Sequence, residues 1–214
     1  MASFAMLPAL PEQVATHWNL EGQPNGWSDK LMAAFMLPAL MLGLAILLDF
    51  LPRLDPRHEN IAKFSRTYEQ FILALLFLFA LLHLGLLCWA VGLEVPPLAL
   101  MSVGLALMFF ALSRMLAEAR PNFTIGMRTP WALVDDANWY ATNQLASTLY
   151  MWSVPISLLG LLMPPWALLF VLLAAIGPAI ISCAYSYMIY AQGMKTPGQG
   201  QTARSKKAKA GKRK

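Results

Sequence analysis

Charge is scarce in this chain. Of its 214 residues, 13% are Asp, Glu, Lys or Arg and 58% are hydrophobic, whereas a water-soluble domain carries roughly 25% charged residues. A soluble globular body is excluded. Cysteine is scarcer still, and the two present, Cys88 and Cys183, sit in apolar surroundings, which excludes a disulfide scaffold and a thiolate zinc site. Gly-x-Ser-x-Gly, His-Glu-x-x-His, a Walker loop and the dinucleotide glycine fingerprint are all missing. No catalytic residue, metal ligand set or cofactor is therefore assigned, and the reading is of a non-enzyme. Basic residues are thin in the body, since seven of the 16 Lys and Arg lie between Arg204 and Lys214, leaving nine against 11 acidic residues. The net charge of +5 belongs to that tail. Direct nucleic-acid binding, which needs Lys and Arg spread over a folded face, is not expected.

What the chain has is long apolar runs. A spanning helix takes about 20 mostly apolar residues, because the hydrocarbon layer is about 30 Å thick and each helical residue rises about 1.5 Å. The charge-free stretches place spans near 31–50, 70–92, 96–115, 144–163 and 166–190, with Met163-Pro164-Pro165-Trp166 breaking the last 58-residue uncharged run into two crossings. Continuous apolar runs without period-two alternation indicate helices. The expected fold is an all-α polytopic transmembrane bundle of five spans, in the order 1–30 extracytoplasmic loop segment, 31–117 spans one to three, 118–143 cytoplasmic amphipathic motif loop, 144–190 spans four and five, and 191–214 disordered basic tail. Pro38, Pro155 and Pro178 with Gly177 mark expected kinks or packing notches.

Lys and Arg set the orientation, since cytoplasmic loops carry the excess. One side collects 15 of them and the other only Lys30. This predicts a multi-pass protein of the bacterial plasma membrane, with the C-terminus and both longer loops inside and residues 1–30 outside. Trp27, Trp89, Trp131 and Trp166 fall near span ends, as interfacial aromatics do. Residues 1–10 are too short to span and lack a secretory leader, so either the segment crosses with the first span, or a hydrophobic helix lies upstream of Met1, which would give a sixth span and place both ends inside.

Three places look selected for recognition. In the outer segment, Pro8, Pro11, Val14 and Thr16 suit an extended piece, and Gly22, Pro24, Asn25 and Gly26 are turn chemistry, with Asn25-Gly26 the strongest turn signal. His17, Trp18, Asn19, Gly22 and Trp27 are its candidates, either as headgroup anchors or as a ligand site; a metal site on His17 with Glu12 or Glu21 lacks a second nitrogen or sulfur ligand. In the inner loop, Phe123, Ile125, Met127, Trp131 and Leu133 would be costly in water, so the loop lies against the bundle or the inner headgroups. Arg128, set between Gly126 and Pro130, pairs there with lipid phosphate or Asp135, or makes a bidentate contact to an anionic partner. In span two, His83 lies past the midpoint, with Ser182, Tyr185, Ser186 and Tyr187 of span five as expected hydrogen-bond partners.

The outer stretch Leu10-Pro11-Glu12 to Trp27 and the inner stretch Asn122-x-x-Ile125-Gly126-Met127-Arg128-Thr129-Pro130-Trp131, followed by Trp139 and Asn143, carry a resemblance. The chain resembles the SdpI immunity-protein family, preceded by a domain of unknown function with Leu-Pro, His-Trp and Gly-x-Pro-x-Gly-Trp motifs. The resemblance implies a polytopic plasma-membrane protein that protects against a secreted toxic peptide outside and signals to a transcriptional repressor inside. It places the motif region at Asn122, Gly126, Arg128, Pro130, Trp131 and Trp139, without a catalytic role. Such proteins usually carry a hydrophobic helix before the Leu-Pro motif, and a Lys-rich tail is not part of the pattern. A reading from another class is a small transporter or envelope-maintenance protein whose substrate sits among spans two, four and five near His83.

Overall fold

The computed structural model describes residues 2–19 and 22–193. Glu21 and the basic tail from residue 194 onward lie outside the described residues. A short helix α1 (Ala2–Met6) leads through a 3-10 turn into strands β1 (Gln13–Trp18) and β2 (Pro24–Asp29). Helices α2 (Lys30–Phe50), α3 (His58–Ala62), α4 (Ser65–Ala90), α5 (Pro97–Glu118), α6 (Pro130–Val134), α7 (Asp136–Leu162) and α8 (Ala167–Ala191) follow. Five of these helices, α2, α4, α5, α7 and α8, are long and apolar enough to cross a membrane, so the chain is an all-α, multi-pass membrane protein.

Local chemistry sets the helix ends. The Asp29 carboxylate accepts from the backbone N–H groups of Leu31 and Met32, both at 3.0 Å, and so starts α2 where the strand stops. Thr129 caps α6 ahead of Pro130, and Asp135 caps α7 through the Ala137 N–H. The second of these caps explains why α7 begins eight residues before the predicted span: the motif loop ends in a helix start, and the first two turns of α7 stand within the loop. Similarly α4 starts at Ser65 rather than 70, carrying Arg66 and Glu69 on its first turns. With 26 residues it is about 39 Å long, so its ends reach beyond the hydrocarbon.

α4, α5, α7 and α8 pack in that order, while α2 leans chiefly on α4 and on the N-terminal segment and leaves most of its apolar surface outward. Close packing is bought with small residues and hydroxyls: Ser113 Oγ donates to the Ser147 carbonyl at 2.8 Å, and Ser153 Oγ to the Ala174 carbonyl at 2.7 Å. The larger core gathers Phe64, Phe109, Met115, Trp139 and Tyr150 toward the end bearing α3 and α6. A smaller one joins Leu10 and Val14 of the N-terminal segment to Ala33, Ala34, Leu86 and Leu87 at the opposite end.

The N-terminal segment is more regular than a loop. β1 and β2 form an antiparallel hairpin in which Gln13 faces Asp29 and Trp18 faces Pro24, with irregular register around His17. The turn is not at Asn25-Gly26. It runs from Asn19 to Gln23, closed by Asn19 N–H to the Gln23 carbonyl at 2.9 Å and Gln23 N–H to Asn19 Oδ1 at 2.8 Å, with Gly22 at φ +75°. Gly26 instead sits within β2 opposite His17, where an added Cβ would stand 2.9 Å from His17 Cβ. Its lack of a side chain serves cross-strand fit rather than chain reversal.

Candidate functional site

At the hairpin end, the strands roof the ends of the helices and enclose a cavity of about 630 Å³. Its roof is Thr16, His17, Trp18, Asn19, Gly22 and Asn25; its floor is aliphatic, from Leu37 on α2, Leu82, Gly85 and Leu86 on α4, Pro97, Leu98, Leu100 and Met101 on α5, and Leu168 on α8. Four of the five residues singled out in the outer segment thus meet in one place. Trp27, the fifth, does not join them: it is 57% exposed and is not among the residues lining the cavity. No Asp, Glu, Lys or Arg is among the residues lining the cavity, so it suits an uncharged ligand. His17 Nδ1 pairs with Asn25 Oδ1 across the strands, and Trp18 stands edge-on to Trp89 of α4 at 5.6 Å. The Trp18 indole N–H is buried without an acceptor. Glu12 pairs with Lys30 at 2.6 Å, away from His17, and among the described residues no cluster of three or more His, Cys, Asp or Glu is placed to hold a metal ion.

At the opposite end, residues 119–135 cross the bundle and are pinned by buried polar side chains. Asn122, 1% exposed, accepts from the Thr124 and Ile125 N–H groups at 2.9 and 2.6 Å and donates to the Arg120 and Ile125 carbonyls. Asn143 accepts from the Met127 N–H at 2.9 Å. Gly126, at φ +115°, lies flat on the Trp139 ring; an added Cβ would come within 2.8 Å of Asn143 Oδ1 and 3.2 Å of Trp139 Cζ2. Trp139 is fully buried and donates Nε1–H to the Ala119 carbonyl at 3.2 Å. Three of the motif candidates therefore hold the loop's shape from within: Asn122 and Trp139 face no partner, and Gly126 makes room for the ring.

What the loop presents outward is Arg120, Phe123, Arg128, Pro130 and Val134. The Arg128 guanidinium donates to the Phe123 carbonyl at 2.8 Å and not to Asp135, so it is positioned by the loop's own backbone and keeps donors for an anion. Arg57 lies over the Phe123 ring at 5.0 Å, and Arg120 over the Tyr140 ring at 5.8 Å. Trp131, half-buried, packs against Tyr187 and Tyr190 of α8.

Sequence reasoning missed the residue that anchors this arrangement. Asp55, 2% exposed in the linker after α2, accepts from the Arg57 N–H at 2.7 Å, the Phe123 N–H at 2.8 Å and the Thr124 hydroxyl at 2.7 Å. Burial pushes its carboxyl up, but these hydrogen bonds outweigh it and hold the group below the usual aspartate value. The Asp55-Pro56 pair signals a turn in sequence; its partners, 68 and 69 residues on, give no local signal. Asn138 and Ser186 form a second buried pair, with Ser186 also bonded to Thr129.

His83 is placed differently from expectation. It is buried and shares a 2.8 Å hydrogen bond through Nε2 with Ser3 Oγ of α1, while its predicted partner Ser186 is engaged at the other end of the bundle. The reason is packing order: α4 lies between α2 and α5, and α8 rests on α7, so spans two, four and five do not converge on His83. The crevice beside it is lined by α1, α2 and α4.

Both ends correspond to known sequence families. Residues 118–186 match the SdpI/YfhL protein family, and residues 1–42 match DUF1648, a domain of unknown function. The chain is also similar to the immunity protein SdpI of Bacillus subtilis (strain 168), with 24% identity over 191 residues, 89% of each chain. The resemblance drawn from the two motifs is borne out by these matches. No solved structure matches the chain.

Proposed function

We propose that this chain is a membrane immunity protein: it takes up part of a secreted toxic peptide in the cavity beneath its hairpin, on the outer side, and passes the event to the loop that carries Arg128 on the cytoplasmic side. The observation that carries this reading is the meeting of His17, Trp18, Asn19 and Gly22 over one uncharged cavity. The 15-to-1 division of Lys and Arg supports the orientation, and the similarity to the B. subtilis immunity protein supports the role. A bound peptide shifts the inner loop only if it binds two states of the bundle with different affinity. The buried pins at Asp55, Asn122 and Asn143 give that loop one well-defined state, and Arg128 is its outward contact for an anionic surface on a soluble regulator such as a transcriptional repressor. The proposed chemistry is binding and signalling, with no covalent step and no cofactor.

The test is survival of a toxin-sensitive bacterium expressing the chain and exposed to the toxic peptide. Protection is expected from the wild type, lost when Leu98→Trp fills the cavity, and kept by His83→Ala, whose imidazole lies outside it. Arg128→Ala is expected to keep cavity binding and lose the inner response. Absence of protection in every form refutes the immunity role, and a substrate flux abolished by His83→Ala supports the transporter reading in its place.

A further inference from the structure

We infer that the cavity under the hairpin recognises a short, uncharged, apolar peptide segment, and that Trp18 is its specificity-determining donor, giving its indole N–H to a backbone carbonyl of the ligand. This rests on the cavity being the ligand site proposed above. Three observations carry it. The volume of about 630 Å³ falls in the range of small-ligand sites and leaves room for a short run of apolar side chains. No charged side chain is among its lining residues, so an ionised ligand group would be desolvated there without a counter-charge.

The third observation selects the hydrogen-bonding type. Among the described residues the Trp18 N–H is buried with no acceptor. Buried donors are paired in nearly all structures, and one left unpaired weakens the state that contains it. An indole N–H only donates, so what it lacks is an acceptor. Trp18 is itself a wall of the cavity, and its ring centroid stands 5.6 Å from that of Trp89 in an edge-on arrangement. A ligand carbonyl brought alongside satisfies the donor when the ring turns to meet it. The Asn25 amide, on the same roof and bonded through Oδ1 to His17, has N–H groups that suit a second carbonyl of a peptide. An acyl chain with a single ester offers one carbonyl only.

The probes are acetyl-Leu-Phe-Leu-amide, its acetyl-Leu-Lys-Leu-amide analogue and methyl decanoate, added to the full chain in nanodiscs with 15N-labelled tryptophan. The Trp18 indole resonance is assigned by its disappearance in Trp18→Phe, and the other indole resonances report whether the fold is intact. The neutral peptide is expected to move the Trp18 resonance downfield. It should bind at least tenfold more tightly than the lysine analogue or the ester, and lose about tenfold in Trp18→Phe. Equal binding of the ester makes the cavity an acyl-chain site and overturns the inference. So does an unmoved Trp18 resonance, or unchanged affinity in Trp18→Phe with the remaining spectrum preserved. Probe binding as expected in a chain that gives no protection would refute the immunity role while leaving this cavity chemistry standing; protection without probe binding would do the reverse.

Discussion

Gly126 and Asp55 show how much of the inner loop depends on single atoms. At φ +115° and with Trp139 beneath it, Gly126 has neither the backbone freedom nor the space for a methyl group. Gly126→Ala is expected to cost about 1–3 kcal/mol, read as a lower midpoint of thermal unfolding in detergent; an unchanged midpoint would mean that the loop is not seated on the ring. Asp55 makes the loop sensitive to acid. Its carboxyl is held below the usual aspartate value of about 3.9. The ionised group's contribution is therefore complete above that value and lost as pH falls through the lower folded one. The protection factor of the Phe123 amide, which donates to Asp55, should be constant from neutral pH downward and fall only below about pH 4. Asp55→Asn should show low protection across the whole range, and a wild-type protection factor that rises on acidification would contradict this. Gly126 and Asn122 were legible as motif residues, but not as internal supports, because a motif records which residues recur together and says nothing of which way they face.

The short elements at the hairpin end were only partly legible. Extended residues and turn chemistry were both visible in residues 13–26, yet the turn lies at Asn19–Gln23, because Asn25-Gly26 is used for cross-strand fit with His17. Helix α1 had no periodicity to reveal it in five residues, and its role comes from a contact 80 residues away, Ser3 with His83. That contact sets a prediction for the element. Ser3→Ala leaves the buried imidazole with neither nitrogen paired, since Nδ1 has no partner among the described residues, and should destabilise by about 1–3 kcal/mol. His83→Phe removes the polar need itself, so Ser3→Ala in that background should cost much less. A double-mutant cycle in detergent unfolding measures the coupling. A coupling near zero would show that α1 is held by Phe4 on Phe35 and its apolar neighbours alone.

For the whole molecule, apolar length and charge asymmetry are the strongest signals a membrane sequence carries, because lipid leaves the backbone few alternatives to a helix. The five spans were accordingly legible, with differences at the ends where caps such as Asp135 extend a helix into the headgroups. Packing order was not: nothing in the sequence separates α4 from α8, so the expected meeting of His83 with Ser186 had no local check. Orientation carries the largest consequence, since the proposed function needs the cavity outside and Arg128 inside. With Cys88 and Cys183 replaced by Ala, Gln23→Cys in the exposed hairpin turn and Val134→Cys, at a position 76% exposed in the opposite loop, report the two faces. A membrane-impermeant maleimide added to intact cells should label Gln23→Cys and leave Val134→Cys unlabelled until the membrane is opened. The reverse pattern would place the cavity in the cytoplasm, where a peptide arriving from outside has no access to it. Labelling of both in intact cells would mean that a span is not crossed and that the 15-to-1 division of basic residues does not decide how this bundle inserts.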